Sequence, residues 1–477
     1  MASLLTMPLE LLIAVSSFIS TSDLAALRLT CKQVEKSLYE WFSQEFFTKK
    51  QFMLTHKSLQ ALIDISRHPS LSKRLTHVII ATNVYEDKPR LPFRDRQAAA
   101  LYMQGYQEQS TLLNLGLDRE MLTEAFQNLG NLQTVGIRDF NNHERARDGI
   151  NWTSWGAPTV YRETGLELNF TYRSHYSPQH ADDFLTRVLQ SLVYALARAN
   201  RYPSELEVLL RRHSLPDSAF GVPDFVQATI EPVLSGLQKL FIRVATASEY
   251  THSYTDGSVS DVQSPRLLGR FLGHTKSLKH LRLNLPKYQS PSNERFLTWL
   301  ASSAPAGTLQ FDCLEPPFVH FKDLTKLELG HFHVARPVLF NVMTKFASTL
   351  DHVELWKVSL SNQQAMTSLP HRPNAWQNFF TQLAKLPGLQ LAHFKVGMLC
   401  QDHVHVQFQD PLKMKKKDKA GLKVKQYAGN NMVGFMQELA DTVFVCWPER
   451  LHGSDTSGGD DDVDVDLLDH DDDEASL

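Results

Sequence analysis

Two histidine pairs are the residues of this sequence best spaced for metal chemistry. His331-Phe332-His333 and His403-Val404-His405 each place imidazoles at i and i+2, which on a strand share one face and could give two ligands to one ion. Neither pair brings a third Cys, Asp or Glu at a readable spacing. The pattern is then that of solvent-facing polar positions flanking an apolar one, and no metal or other cofactor is expected. The 4 cysteines, Cys31, Cys313, Cys400 and Cys446, are too scattered for a zinc site or a disulfide framework, and they fit a reducing compartment. No glycine-rich phosphate loop, Gly-x-Ser-x-Gly elbow or His-Glu-x-x-His helix occurs, which argues against an enzyme. The run Lys413 to Lys425 holds seven lysines against one aspartate and has no interleaved aromatic residues. It reads as the solvated loop of a hairpin joining Val404–Phe408 to Val424–Tyr427, with a nuclear-import signal as the other reading; no nucleic-acid partner is expected.

A second set of candidates recurs along the chain. The phrase Leu-x-x-Leu-x-Leu, with apolar substitutions, occurs seven times, at Leu75-Val78-Ile80, Leu132-Val135-Ile137, Leu237-Leu240-Ile242, Leu278-Leu281-Leu283, Leu324-Leu327-Leu329, Leu350-Val353-Leu355 and Leu391-Phe394-Val396. Its last three residues alternate apolar with polar, the period of a strand. With the apolar residues turned to a core, the alternating positions face outward: Arg138, Arg243, Arg282, Asn284, Lys326, Glu328, Glu354, Trp356 and Lys395. Five of the seven copies thus present a cation, which suits a protein ligand carrying acidic or phosphorylated groups.

Helical periodicity fills the gaps, over 119–129, 181–198, 224–234, 293–302, 337–346 and 375–386. Strand then helix, repeated, is the logic of a leucine-rich-repeat solenoid. The copies lie about 26 to 105 residues apart, against roughly 20–29 in the regular repeat, and the Asn or Cys that normally follows the strand is missing. An α/β domain with Leu-rich buried strands is the other reading. The segment 139–177, with Trp152 and Trp155, reads as a long insertion loop over the solenoid edge, and Ser248 to Ser264 as a polar loop.

The N-terminal segment reads as helices. Pro8 suits a helix first turn, and Leu11, Val15 and Phe18 follow at helical spacing. Thr21 or Ser22 caps a second stretch, in which Leu24, Leu27, Cys31, Val34, Leu38 and Trp41 form one continuous apolar stripe. A further short helix is expected over 52–67, behind Thr55 or Ser58. By periodicity alone, the first two stretches are also what a helical hairpin packing on its own domain would show. However, the gapless order Met7-Pro8-Leu9-Glu10-Leu11-Leu12, Val15, Phe18-Ile19, Ser22-Asp23-Leu24 and Leu27-Arg28-Leu29-Thr30-Cys31-Lys32 resembles the F-box. Met7 stands where that family usually has Leu, a nearly volume-conserving change, and Val34 where an aromatic residue is common.

The resemblance implies docking to a Skp-type adaptor tied to a cullin, with Pro8, Leu11, Leu12, Val15, Leu24 and Leu29 at the positions that make or support the contact. It further implies a non-catalytic substrate receptor of an SCF-type E3 ubiquitin ligase, degenerate leucine-rich domains being frequent partners of an F-box. An adaptor-binding scaffold outside ubiquitination and a hydrolase in the large domain are the alternatives.

The expected organisation is α/β: a helical F-box over 1–48, an irregular leucine-rich-repeat-like α/β solenoid over 49–450, and a disordered acidic tail over 451–477. The tail carries eleven acidic residues and no Lys or Arg, so a net charge of −3 for the chain leaves +8 on the rest, and the tail is expected to shadow a basic surface. A positive region ahead of the first apolar stretch is missing and no membrane-length apolar run occurs, so cytoplasmic or nuclear residence, without a membrane partner, is expected.

Overall fold

Alternation of apolar and polar side chains builds the sheet, and in the computed structural model all seven Leu-x-x-Leu-x-Leu phrases end in a strand. The structure describes residues 7–87, 89, 92–140, 154–168, 178–246, 265–286, 291–303, 316–361, 373–409 and 421–447. In chain order the strands are β1 (Lys49–Met53), β2 (His77–Ala81), β3 (Thr134–Arg138), β4 (Glu205–Leu209), β5 (Leu215–Pro216), β6 (Lys239–Ala245), β7 (His280–Asn284), β8 (Lys326–Gly330), β9 (His333–Ala335), β10 (His352–Trp356), β11 (Ser359–Ser361), β12 (His393–Gly397), β13 (Cys400–Gln401), β14 (Val404–Phe408), β15 (Val424–Ala428) and β16 (Val443–Val445).

The main sheet has the order β1-β2-β3-β4-β6-β7-β8-β10-β12-β15, with the short β5 beside β6. Pairing along this path is parallel except at its last step, where β15 lies antiparallel to β12. Each strand therefore sits beside the next in the path, and equivalent residues stand opposite one another. A smaller sheet, β9-β11-β13-β14-β16, takes up the chain after β8, β10 and β12.

The helices are α1 (Leu9–Phe18), α2 (Thr21–Thr30), α3 (Lys32–Phe47), α4 (His56–Arg67), α5 (Leu71–Arg74), α6 (Arg96–Asn114), α7 (Leu117–Asn128), α8 (Ala157–Thr164), α9 (Pro178–Arg198), α10 (Asp224–Gly236), α11 (Arg266–His274), α12 (Pro291–Ala301), α13 (Arg336–Phe346), α14 (Ala375–Leu383) and α15 (Met432–Thr442). The chain is thus mixed α/β with a large, mostly parallel sheet. The helices pack beside one another as the strands do, α4 on α7, α7 on α9, α9 on α10, and α12 through α15 in turn. Their apolar sides close over the rows Phe52, Ile80, Ile137 and Val208 and Ile242, Leu283, Leu329, Leu355 and Val396, in one continuous core.

Several sequence expectations need correction. Residue 52 lies in β1, and the helix expected over 52–67 begins only at His56. The stripe from Leu24 to Trp41 belongs to two helices, broken at Cys31, whose extended backbone (φ −160°, ψ 157°) ends α2 and starts α3. The α2 cap is Ser20, whose hydroxyl accepts from the Asp23 N–H. The expected hairpin pairing is not seen among the described residues: β14 and β15 belong to different sheets, and an antiparallel bridge joins Phe408 of β14 to Leu422, just before β15. Within 139–177, α8 is helical and Trp155 bridges to Phe52, which sets this segment against the first strand of the sheet. Ser248 to Ser264, the lysine-rich stretch up to 420 and the acidic tail lie outside the described residues.

The corners after three consecutive strands repeat. His331 (φ 62°), Lys357 (φ 51°) and Met398 (φ 51°) follow β8, β10 and β12 directly, each in the left-handed region that non-glycine residues rarely enter. Stacking offsets the strain: His331 N–H donates to Trp356 O and Lys357 N–H to Gly397 O, both at 3.0 Å. The next residues, Phe332, Val358 and Leu399, are fully buried.

In the helical layer an ion pair with a buried carboxylate and a partly exposed guanidinium joins α7 to α9. Asp118 of α7 is fully buried, accepting from Arg187 at 2.9 Å and from the Ser191 hydroxyl at 3.1 Å, both on α9. Arg187→Ala strands that carboxylate and is expected to cost about 3–5 kcal/mol. Arg67→Ala, which opens the exposed Arg67–Glu124 pair, is expected to cost under about 1 kcal/mol. Urea unfolding of the two variants checks the contrast, and equal losses would contradict it.

Candidate functional site

Two surfaces hold the residues singled out by sequence. The first is the helical unit α1–α3. Its interior is Leu12, Leu24, Val34 and Leu38, with Met7, Ile13, Ile19, Leu27, Cys31, Trp41, Phe42 and Phe46 packed around them. Arg28 lies 3.5 Å from the centre of the Phe42 ring, tying α2 to α3. Leu12 (4% exposed) and Leu24 (1%) are therefore internal and cannot themselves touch a partner. Pro8, Leu11, Val15 and Leu29 are exposed, as are Leu9 and Phe18, which the family positions did not include. Leu11, Val15 and Phe18 share one face of α1, at i, i+4 and i+7.

The second surface is the polar face of the sheet. Parallel register sorts its side chains into rows. The first row runs Lys49, His77, Thr134, Glu205, Lys239, His280, Lys326, His352 and His393. The second row runs from Glu207 through Phe241, Arg282, Glu328 and Glu354 to Lys395. The third, from β6 onward, is Arg243, Asn284, Gly330, Trp356 and Gly397. Two glycines leave room in it: a Cβ on Gly330 would meet Asn284 Oδ1 at 2.7 Å, and one on Gly397 would enter the Trp356 ring.

Register also pairs the charges. Glu328 accepts from Arg282, from His280 Nε2 at 2.7 Å and from Lys326 at 2.9 Å. Glu354 accepts from His352 Nε2 at 2.7 Å, with Lys326 at 3.6 Å and Lys395 at 3.9 Å. Glu207 meets Lys239 at 2.8 Å and both Arg138 and His77 at 3.8 Å. Burial alone would raise the Glu328 carboxyl, but the His280 hydrogen bond and the Arg282 and Lys326 charges hold it well below the usual carboxylate range.

The expectation of five presented cations is corrected accordingly. Arg138 is buried, and Arg282, Lys326 and Lys395 are engaged with glutamates. Arg243 meets no carboxylate among the described residues; its guanidinium donates to Ser214 Oγ at 3.4 Å and Leu210 O at 3.3 Å. Aromatic rings interleave with the cations, Lys239 and Arg282 standing 4.5 and 4.4 Å from the Phe241 ring and Lys395 5.4 Å from Trp356. Sequence reading missed most of the first row. The available signal was a polar residue just before the second apolar position of the phrase, as in His77, Lys239, His280, His352 and His393.

The histidine pairs are split. His331 is at a left-handed corner rather than on a strand, while His333 of β9 stacks on His403 with ring centres 5.1 Å apart. His405 Nδ1 lies 3.9 Å from Cys400 Sγ, and burial pushes that thiol up, which disfavours the thiolate. No helix of the described residues is long and apolar enough to cross a membrane. No protein-family model matches the chain, and no curated protein matches it.

Burial sets how the first row titrates. It pushes His77 down to about 3, outweighing Glu207 beside it, and pushes His280 below its ordinary value in spite of Glu328. His77 stays neutral when folded but takes up a proton near pH 6.5 when unfolded, and His280 is shifted in the same direction. The unfolded state then binds more protons, so stability falls as pH drops below about 6.5. For His77 the loss at pH 5 is about 2 kcal/mol. Urea unfolding at pH 7.5 and 5.0 checks this: the drop between the two should shrink by about that amount in His77→Gln, and an unchanged drop would contradict a neutral buried imidazole.

Proposed function

We propose that this chain is the substrate-recognition subunit of an SCF-type E3 ubiquitin ligase, docking through α1–α3 to a Skp-type adaptor on a cullin and binding a protein substrate on the polar face of the sheet. The observation that carries this reading is the apolar side chains left over once the helical unit has filled its own interior. Leu11, Val15 and Leu29, at positions matching the F-box, are 56%, 49% and 86% exposed, and Phe18 is 89% exposed. A self-contained hairpin packing on its own domain would turn such residues inward; a docking unit keeps them outside. Pro8 lies beside them, and Leu12 and Leu24 support the contact from within.

The finer architecture belongs to the same reading. Parallel strands laid side by side along the chain, with repeated corners after β8, β10 and β12, support an irregular leucine-rich-repeat-like solenoid after the F-box. Ubiquitin chemistry would reside in other subunits, and this chain would supply proximity. On the substrate side, Arg243, Asn284 and Trp356 occupy one row, so an acidic or phosphorylated segment would lie along it, with Arg282, Lys326 and Lys395 adding a partly compensated field.

Co-purification with the adaptor and cullin tests the docking. Leu11→Asp with Val15→Asp places two charges in an apolar contact and should weaken capture by at least roughly 100-fold without unfolding the helices. Full retention of binding rejects the F-box assignment. Leu12→Asp is unsuitable, because it would disrupt the interior. On the sheet, Arg243→Glu should lower retention of an acidic phosphopeptide pool by roughly tenfold or more, whereas Arg67→Glu should leave it unchanged; equal retention removes the acidic-ligand reading.

A further inference from the structure

We propose that His352, Glu354 and His393 form a binding site for a divalent transition cation of the zinc class. The three come together through register. His352 on β10 stands directly opposite His393 on β12, and Glu354, two residues along β10, shares their face. One ligand atom from each lies within 4.8 Å of the other two. Two imidazole nitrogens and a carboxylate oxygen suit zinc, cobalt or iron(II), and they leave coordination positions for water or an oxygen of a bound partner.

Two of the three donors, His352 Nε2 and the Glu354 carboxylate, are hydrogen-bonded to each other, and a bound cation would take the place of the proton they share. Among the described residues the Glu354 carboxylate has one side-chain hydrogen bond, from His352 Nε2 at 2.7 Å. The ring of His393 stacks on His352 with centres 4.0 Å apart and 13° between planes, and no described side chain hydrogen-bonds to its nitrogens. Stacked rings do not converge their in-plane lone pairs, so binding requires His393 to turn about its terminal torsion, which is soft.

Two cations oppose the ion, and both have somewhere else to go. Lys326 at 3.6 Å and Lys395 at 3.9 Å are outside hydrogen-bond range of Glu354. Lys326 is held more closely by Glu328 at 2.9 Å, and Lys395 stands 5.4 Å from the Trp356 ring. Their charges weaken the site without filling it, and this gives the proposal a signature that a merely structural cluster would lack. The inference does not rest on the ligase reading.

The full-length chain, stripped with a chelator, is titrated with zinc chloride at pH 7.5 against a chromophoric competitor. The wild type should bind zinc, and His352→Asn and His393→Asn should each lose one equivalent, while His405→Asn keeps it. Lys326→Met should tighten that equivalent by roughly tenfold, since a neighbouring positive charge is removed. An unchanged stoichiometry in both asparagine variants would place zinc elsewhere on the chain and overturn the proposal, as would a wild type that binds none. Should the variants misfold, wild-type protein treated with diethyl pyrocarbonate with and without zinc decides the matter. Zinc should protect His352 and His393, and equal modification overturns the site.

Discussion

In-register parallel pairing is the constraint on which the rest of this molecule depends. Because side chains alternate across a strand, a slip of one residue between two neighbours would carry a whole set of apolar residues from the helical side to the polar face. The leucines, valines and isoleucines at the second and fourth positions of β2 through β12 are buried by the helices, while the first, third and fifth positions build the face that carries the charges. Register is fixed further by the corners at His331, Lys357 and Met398. His331 and Lys357 donate their N–H groups to the last residue of the next strand, and Met398 donates to Lys423 just before β15, so each strained corner is held by the neighbouring backbone.

The same register decides the electrostatics. Like or opposite charge at one position of successive strands becomes a contact across about 5 Å. Glu328 and Glu354 stand side by side in the second row, which would be repulsive alone; Arg282 and Lys395 flank them in that row, and Lys326 and His280 reach across from the first. Few of these charges are left to act at a distance. Buried glutamates with several partners add little net stability, since desolvation consumes much of the attraction, but they oppose any register that separates them. The polar face is thereby largely self-compensated, whereas Arg243 meets a hydroxyl and a carbonyl and no carboxylate among the described residues.

How much of this was legible follows from what each feature depends on. The seven strands written with leucine were readable because their pattern is local, and so were the helices α7, α9, α10 and α12 through α14. β1 and β4 were missed: Lys-Lys-Gln-Phe-Met and Glu-Leu-Glu-Val-Leu lack the leading leucine, and the stretch holding Phe52 runs directly into a helix. The break at Cys31 escaped because apolar spacing continues through it, so only the backbone reveals two helices. The cations at Arg282, Lys326 and Lys395 were correctly placed on one face, but their partners come from other strands, and no local spacing encodes that. Histidines at i and i+2 were legible as pairs, whereas His352 and His393 meet across two strands separated by a helix and a corner.

What joins the two surfaces is the passage from α3 into β1. Only Thr48 separates the helix from the strand, and its carbonyl accepts from the N–H groups of Thr76 and His77, both at 3.1 Å, at the start of the neighbouring strand. Phe47 packs against the main core, and Lys50 stands about as far from the Phe47 ring (5.1 Å) as from that of Trp155 (5.4 Å). Glu40 of α3 pairs with Arg74 of α5. A flexible linker would let the helical unit sample many orientations relative to the sheet. Here the helix is seated on the first strands instead, so under the proposed docking a partner on the exposed apolar face of α1 would sit at a set angle to the polar rows. Such rigidity would matter little for two independent binding modules. It would matter for the proposed receptor, in which the gain would come from holding one partner where another can react with it.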